Sequence, residues 1–177
     1  MRNLCMALAI SLLLTSCVQA PEFTLPEPTT ETPVVEVAPE PTPTPSLPLW
    51  SEEEAVALAQ MLWGEARGVP SDTEKAACVW CVLNRCDLYG KGIIEVVSAP
   101  YQFVGYSPDN PVDEELKALC EDVLARYFAE QAGDTDVGRV LPSDYIFFSG
   151  DGKRNHFRNA YEGGQTWDWS LPSPYES

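Results

Sequence analysis

Apolar residues recur at helical spacing after residue 50 and predict a first helix that begins after Ser51. Glu54 follows Ser51 by three residues, which is the spacing of a reciprocal capping box. Gly68 is predicted to close this helix in a left-handed conformation, and Pro70 prevents its continuation. At about 100° per residue, one face collects the apolar side chains expected in the core: Ala55, Leu58, Met61, Leu62 and Ala66.

A second helix is predicted over residues 71–88, because Ser71 and Glu74 form another capping box. It is apolar almost all round, which is typical of the central helix of a small bundle. Asn84 and Arg85 interrupt it near its end, and buried polar groups there need partners. They serve either as anchors for neighbouring loops or as the lining of a polar cleft.

A third long helix is predicted with Asn110 as its cap, Pro111 at its first position and Gly133 after its end. The region that follows differs in character, with a short strand at 145–148 and a turn at 150–152. The predicted fold is therefore mainly α with a small β and loop cap. The apolar stripe of the third helix comprises Val112, Leu116, Leu119, Cys120, Val123 and Tyr127.

The N-terminal 49 residues differ from the rest. Residues 1–17 are interpreted as a lipoprotein signal, because a short apolar run ends in Leu14-Thr15-Ser16-Cys17, a lipobox-like tetrapeptide. Cys17 would carry the lipid and anchor the chain to the outer face of a bacterial membrane. An ordinary secretory signal and a buried N-terminal helix are the alternatives. Residues 18–49 hold nine prolines and no basic residue, which predicts a disordered tether.

Residues 50–177 form the predicted domain, expected to be a monomer. They carry 22 acidic and 10 basic residues, and the whole chain has a net charge of −16. No basic patch is visible in the sequence, so nucleic-acid binding is not expected. The domain contains Cys78, Cys81, Cys86 and Cys120. We predict that they are small buried hydrophobes, with a long-range bridge from Cys120 as the alternative. No metal site or cofactor is predicted.

Glu65 is the most informative residue, because it places a carboxyl group within the apolar stripe of the first helix. Partial burial and the negative end of the helix dipole both favour the protonated form of such a group. A protonated carboxyl group is what general-acid catalysis requires. The alternative is a structural glutamate that is satisfied by a buried partner.

Four segments of the domain stand out together: 65–68 (Glu-Ala-Arg-Gly), 82–85 (Val-Leu-Asn-Arg), 102–103 (Gln-Phe) and the block containing 147–148 and 155–157. In their order and spacing they resemble the SleB-type cell wall hydrolases, a family that includes spore cortex-lytic enzymes. The resemblance covers residues 52–169. It implies a lysozyme-like fold that cleaves the glycan strands of peptidoglycan, with Glu65 as the essential glutamate. Val69 departs from the family pattern, since many members carry a second acid there, and the region around residues 155–156 is abbreviated.

Glycoside cleavage normally uses two carboxyl groups, and Asp144, Asp151 and Glu162 are the acids on the predicted cap. A lytic transglycosylase needs only one: Glu65 protonates the glycosidic oxygen, and the 6-hydroxyl of the sugar then attacks to leave a 1,6-anhydro end. We therefore expect a lytic transglycosylase, with hydrolysis left open. The residues expected to contact N-acetyl groups or sugar faces, or to steady Glu65, are Asn84, Tyr101, Gln102, Phe103, Asn155, His156 and Trp167.

Two other functions remain open from the sequence. His156 is the only histidine, which argues against a zinc peptidase that uses several histidines. A cysteine peptidase would pair His156 with one of the four domain cysteines, although none of them opens a predicted helix. A wall-binding lipoprotein without catalysis is the second alternative. The negative net charge offers no evident attraction to an anionic wall.

Overall fold

The computed structural model describes residues 48–176. The predicted signal at 1–17, the lipidation at Cys17 and almost all of the tether at 18–49 lie outside the described residues. The prediction of a mainly helical fold with a small β element is confirmed. The elements of the described part are α1 (Glu52–Ala66), α2 (Asp72–Tyr89), α3 (Ile93–Val97), α4 (Glu114–Gln131), β1 (Phe147–Gly150) and β2 (Asn155–Arg158).

The capping box of α1 is formed as predicted. The Ser51 backbone N–H donates to Glu54 Oε2 at 2.8 Å, and the Glu54 N–H donates to Ser51 Oγ at 3.2 Å. All five residues of the predicted apolar stripe are buried. The prediction for Gly68 is wrong: α1 ends at Ala66, Arg67 caps it in a right-handed conformation, and Gly68 does not adopt a positive φ.

Helix α2 is the central helix, and it contacts α1, α3 and α4. The helix ends at Tyr89, one residue later than predicted, and Gly90 caps it with a left-handed φ of 63°. Its predicted capping box is only half formed. Ser71 Oγ accepts from the Glu74 N–H at 3.2 Å, but the Glu74 carboxylate accepts from the Asn155 N–H at 2.8 Å instead. A long-range partner thus replaces the local one.

Helix α4 begins later than predicted. Asp113 is its cap, because Asp113 Oδ1 accepts from the N–H groups of Glu115 and Leu116, each at 3.0 Å. Val112 lies outside the helix and is 37% exposed, so it does not belong to the core stripe. The prediction of Asn110 as the cap is wrong, since its side chain binds the preceding loop.

The two strands form an antiparallel hairpin in which Phe147 pairs with Arg158 and Gly150 pairs with Asn155. The strand begins two residues later than predicted, because Tyr145 closes a turn by donating its N–H to Pro142 O. Alternation along β2 places Asn155 on the buried face. His156 and Arg158 are exposed.

The four described cysteines are free and buried, so the predicted role as small buried hydrophobes is confirmed and no bridge to Cys120 is formed. Burial raises the pKa of the Cys81 and Cys86 thiols to about 12 in each case. Within residues 48–176, no group of three or more His, Cys, Asp or Glu is placed to hold a metal ion. No helix of this part is long and apolar enough to cross a membrane.

Candidate active site

Glu65 lies in the last turn of α1 and lines a cavity of about 220 Å³. The cavity is walled on one side by the end of α1 and on the other by the turn of the hairpin. Among the described residues, Glu65 is the only carboxylate that lines it. The lining residues are Gly64, Glu65, Arg67, Gly68, Val69, Gly150, Gly152, Arg154 and Asn155.

The carboxylate of Glu65 is held by the loop that follows α3. The backbone N–H of Gly105 donates to Glu65 Oε1 at 2.6 Å. Oε2 accepts no hydrogen bond from the described residues, and the half-buried side chain lines the cavity. One oxygen is therefore fixed by the protein while the other is available to a ligand.

A close approach of two glycines makes this hydrogen bond possible. A Cβ built on Gly64 would lie 1.8 Å from Gly105 O, and one built on Gly105 would lie 2.6 Å from Gly64 C. Both obstacles are backbone atoms, so neither can yield by a side-chain rotation. Glycine at both positions lets the loop lie directly on the helix.

Two amide side chains clamp the same loop to α1. Asn110 Nδ2 donates to Gln60 O at 3.0 Å and to Gly105 O at 2.8 Å. In return, Gln60 Nε2 donates to Pro108 O at 2.7 Å and to Asn110 O at 3.1 Å. The clamp therefore orients the Gly105 peptide group next to Glu65.

Asn155 is the one predicted binding residue that shares the cavity with Glu65. It is 3% exposed, and its Nδ2 donates to Cys78 Sγ at 3.4 Å. Its Oδ1 has no hydrogen-bond partner among the described residues. A buried carbonyl oxygen without a partner is unusual and calls for a functional explanation. Glu74 holds the Asn155 backbone in place.

A second cavity, of about 250 Å³, lies at the neighbouring part of β1. Gly150 lines the first cavity and Ser149, the preceding residue of β1, lines the second. We call the two together the β1 groove. In the described part, β1 pairs only with β2, so its other edge is unpaired. The second cavity is lined by Arg85, Tyr101, Gln102, Phe147, Phe148, Ser149, Arg158 and Tyr161.

Tyr101 and Gln102, two of the residues predicted to contact substrate, line the second cavity. Tyr101 is 95% exposed and has a left-handed φ of 63°. Gln102 Oε1 accepts from Arg85 Nη1 at 2.8 Å. Phe103 differs, since it is buried and its ring centroid lies 4.7 Å from the guanidinium carbon of Arg85. Phe103 therefore supports the groove and does not line it.

Asn84, His156 and Trp167 line neither cavity of the β1 groove. Asn84 is buried, and its Nδ2 donates to the backbone oxygens of residues 142 and 145, so it anchors a loop. Trp167 packs edge-on against Tyr145, with ring centroids 5.4 Å apart. His156 faces solvent, with its Nε2 3.7 Å from Asp151 Oδ2. The predicted substrate contacts at these three residues find no support in this geometry.

The acids considered as second carboxyl groups also lie outside the groove lining. Asp151 Oδ1 accepts from the N–H groups of Arg154 and Lys153, and these hydrogen bonds lower the pKa of Asp151. Asp144 accepts from Asn159 Nδ2 at 3.2 Å, and Glu162 is exposed. Glu65 is thus the single carboxylate among the described residues that line the groove.

Several residues that build the site are not identified from the sequence. The clamp of Gln60 and Asn110 and the donor Gly105 depend on contacts 40 to 50 residues apart along the chain. Gly64 carries the one available signal, because a glycine inside a helix indicates a packing reason.

No family model matches the chain, and neither a curated protein nor a solved structure is significantly similar to it. The function is therefore inferred from the chemistry of the groove.

Proposed function

We propose that this protein cleaves the glycan strands of peptidoglycan as a lytic transglycosylase, with Glu65 as general acid and base. The observation that carries the proposal is that Glu65 is the single carboxylate, among the described residues, that lines the β1 groove. One of its oxygens is fixed by Gly105, the other is free of described protein partners, and no other described carboxylate lines the groove. Such an arrangement suits a reaction that needs one carboxyl group.

The reaction follows from the two oxygens of Glu65. Protonated Oε2 donates its proton to the glycosidic oxygen, and the bond between that oxygen and the anomeric carbon breaks. The carboxylate then accepts the proton of the 6-hydroxyl group while the 6-hydroxyl oxygen bonds to the anomeric carbon. The product carries a 1,6-anhydro end, and Glu65 is protonated again. Gly105 holds the side chain in one position through both steps.

The walls of the groove suit an amide-bearing polysaccharide. Asn155 lies in the wall of the cavity next to Glu65, and its Oδ1 is buried without a partner among the described residues. A movement of this side chain toward the cavity would let Oδ1 accept from the N–H of an N-acetyl group. The exposed rings of Tyr101 and Tyr161 offer apolar faces to sugars. The unpaired edge of β1 adds backbone donors and acceptors.

A cysteine peptidase fits the geometry less well. The four cysteines are buried, whereas His156 is exposed and lies next to Asp151. Burial also raises the pKa of Cys81 and Cys86, which disfavours the thiolate that a nucleophile requires. The second candidate is a strand-binding lipoprotein without catalysis, which the same groove would serve if Glu65 had no catalytic role.

The test is a digestion of purified peptidoglycan by the wild type and by Glu65→Gln, followed by mass spectrometry. The introduced amide would keep an oxygen that accepts from the Gly105 N–H, so the variant should fold as the wild type does. We expect fragments one water lighter than hydrolysis yields, with activity at least about 10³-fold lower in the variant. Glu162→Gln, at an exposed acid outside the groove, is the matched control.

Each other result has a defined meaning. Ordinary reducing ends would show a hydrolase, for which a water molecule and a second base must be found. Strand binding without new chain ends in the wild type would support the binding lipoprotein. Inhibition of cleavage by thiol reagents, with unchanged glycan chains and cut peptides, would support the peptidase.

A further inference from the structure

The basic residues of this acidic protein are divided into two groups by their surroundings. Five of the ten lysines and arginines between residues 48 and 176 form ion pairs with acids: Lys75, Lys91, Lys117, Arg126 and Arg139. The other five form no ion pair within the described part of the chain. The fifth of these, Lys153, lies in the hairpin turn. The other four line the β1 groove: Arg67, Arg85, Arg154 and Arg158.

The β1 groove is thus positive in a chain whose net charge is −16. Four guanidinium groups line it, against the single carboxylate of Glu65. A concave surface lined by one sign of charge concentrates the field and attracts ligands of the other sign. The whole-chain charge therefore says little about what the groove attracts, because the unpaired cations of the described part are gathered there.

Two of the four arginines make hydrogen bonds within the fold. Arg85 is 5% exposed, donates to Gln102 and Ile146, and lies against the rings of Phe103 and Phe147. Arg67 Nη1 donates to Trp63 O at 2.8 Å. These two groups contribute charge, but their donors are partly occupied.

Arg154 and Arg158 are the two that are free to bind a ligand. Both are exposed, and neither side chain forms a hydrogen bond or ion pair with the described residues. Arg154 lines the cavity of Glu65, and Arg158 lines the second cavity. They lie four residues apart along an extended segment, so their Cα atoms are about 13 Å apart. A planar guanidinium binds a carboxylate through two parallel hydrogen bonds.

We propose that Arg154 and Arg158 bind carboxylate groups carried by the glycan strand, so that the groove selects anionic over neutral strands. This inference rests on the proposed function, since it names the substrate class of the same groove. Peptidoglycan has two sources of such groups: the stem peptide, and the lactyl group of muramic acid once the peptide has been removed.

The test measures binding of the full chain carrying Glu65→Gln to insoluble peptidoglycan by cosedimentation. Untreated polymer is compared with polymer whose carboxylates have been converted to methylamides. We expect affinity for the methylamide polymer to be about tenfold lower. Adding Arg154→Ala and Arg158→Ala should lower affinity for untreated polymer by the same factor, with no further loss on the methylamide polymer.

Two further variants separate a binding role from general charge or instability. Lys75→Ala with Lys91→Ala removes the same number of charges from ion-paired sites outside the groove, and should change affinity less than about twofold. Arg154→Lys with Arg158→Lys keeps the charge and should restore part of the affinity. Peptide-free strands are used as competitors. Strong competition would assign the lactyl carboxylate as the ligand, and weak competition would assign the stem peptide.

Equal affinity for the two polymers, or equal losses from the arginine and lysine pairs, would overturn the inference. Cleavage assays with the wild type distinguish failure of this inference from failure of the proposed function. Wild-type protein that cleaves both polymers equally well would overturn the selection of anionic strands and leave the transglycosylase intact. Wild-type protein that cleaves neither polymer would overturn the proposed function itself.

Discussion

The backbone N–H of Gly105 donates to Oε1 of Glu65 across a distance of 2.6 Å. This hydrogen bond joins the last turn of α1 to the loop after α3, and it fixes the carboxylate at the wall of the β1 groove. It exists because Gly64 and Gly105 have no side chains to separate the two backbones. The position of the candidate catalytic group thus depends on the absence of two Cβ atoms.

We expect Gly64→Ala to disrupt both the fold and the site. The added methyl would lie 1.8 Å from Gly105 O, so the loop must move away and its N–H must leave Glu65. Overpacking of this kind costs about 1–3 kcal/mol. Urea denaturation should show this loss, and strand cleavage should fall at least about tenfold.

Gly68→Ala is the matched control for that experiment. Its added Cβ meets nothing closer than Gly152 O at 3.8 Å, and its backbone φ is not positive. We expect its stability to stay within about 0.5 kcal/mol of the wild type. Equal losses from the two alanine substitutions would contradict the role assigned to the glycine pair.

Removing the clamp should loosen the loop that carries Gly105. Asn110→Ala leaves the carbonyl groups of Gln60 and Gly105 without this donor, and we expect a loss of about 1–2 kcal/mol. Because Gln60 and Asn110 bind the same loop, Gln60→Ala combined with Asn110→Ala should cost less than the sum of the single changes. Urea denaturation of the four proteins measures this coupling, and strict additivity would argue against a shared clamp.

Tyr101 offers a test of backbone strain at the groove. Its left-handed φ of 63° is unfavourable for a residue with a Cβ, whereas its ring is 95% exposed and adds little packing. Tyr101→Gly should therefore be more stable than Tyr101→Ala by about 1 kcal/mol. Both variants should bind strands more weakly, by about three- to tenfold, if the ring contacts sugar. Thermal unfolding and cosedimentation measure the two effects separately, and unchanged binding would remove Tyr101 from the site.

The buried thiols predict a loss of stability in alkali. Burial raises the pKa of Cys81 to about 12, whereas the pKa of a thiol in the unfolded chain is about 8.5. Between these values only the unfolded chain loses the proton, so stability is complete below the unfolded pKa and falls as the pH rises toward 12. We expect the slope of unfolding free energy between about pH 9 and 11 to be shallower in Cys81→Ala, by up to about 1.4 kcal/mol per pH unit. An identical slope would indicate that the thiol is not shielded.

Local signals determine much of the helical part from the sequence alone. The capping box of Ser51 and Glu54 lies within four consecutive residues, and the single residue Gly90 caps the end of α2. These interactions form within one turn of the chain, so they can be predicted without knowledge of the fold. The buried stripe of α1 follows from helical periodicity for the same reason, and it is what singles out Glu65.

The composition of the groove was decided only by the tertiary structure. Glu74 has the spacing of a capping residue but binds the backbone of Asn155, 81 positions away. Asn110 resembles a helix cap but clamps a loop, because Asp113 is better placed to cap α4. Arg154 and Arg158 are ordinary surface cations in the sequence. Their joint position along the groove depends on the pairing of β1 with β2 and on the packing of β1 against α2. These are long-range contacts that no local pattern encodes.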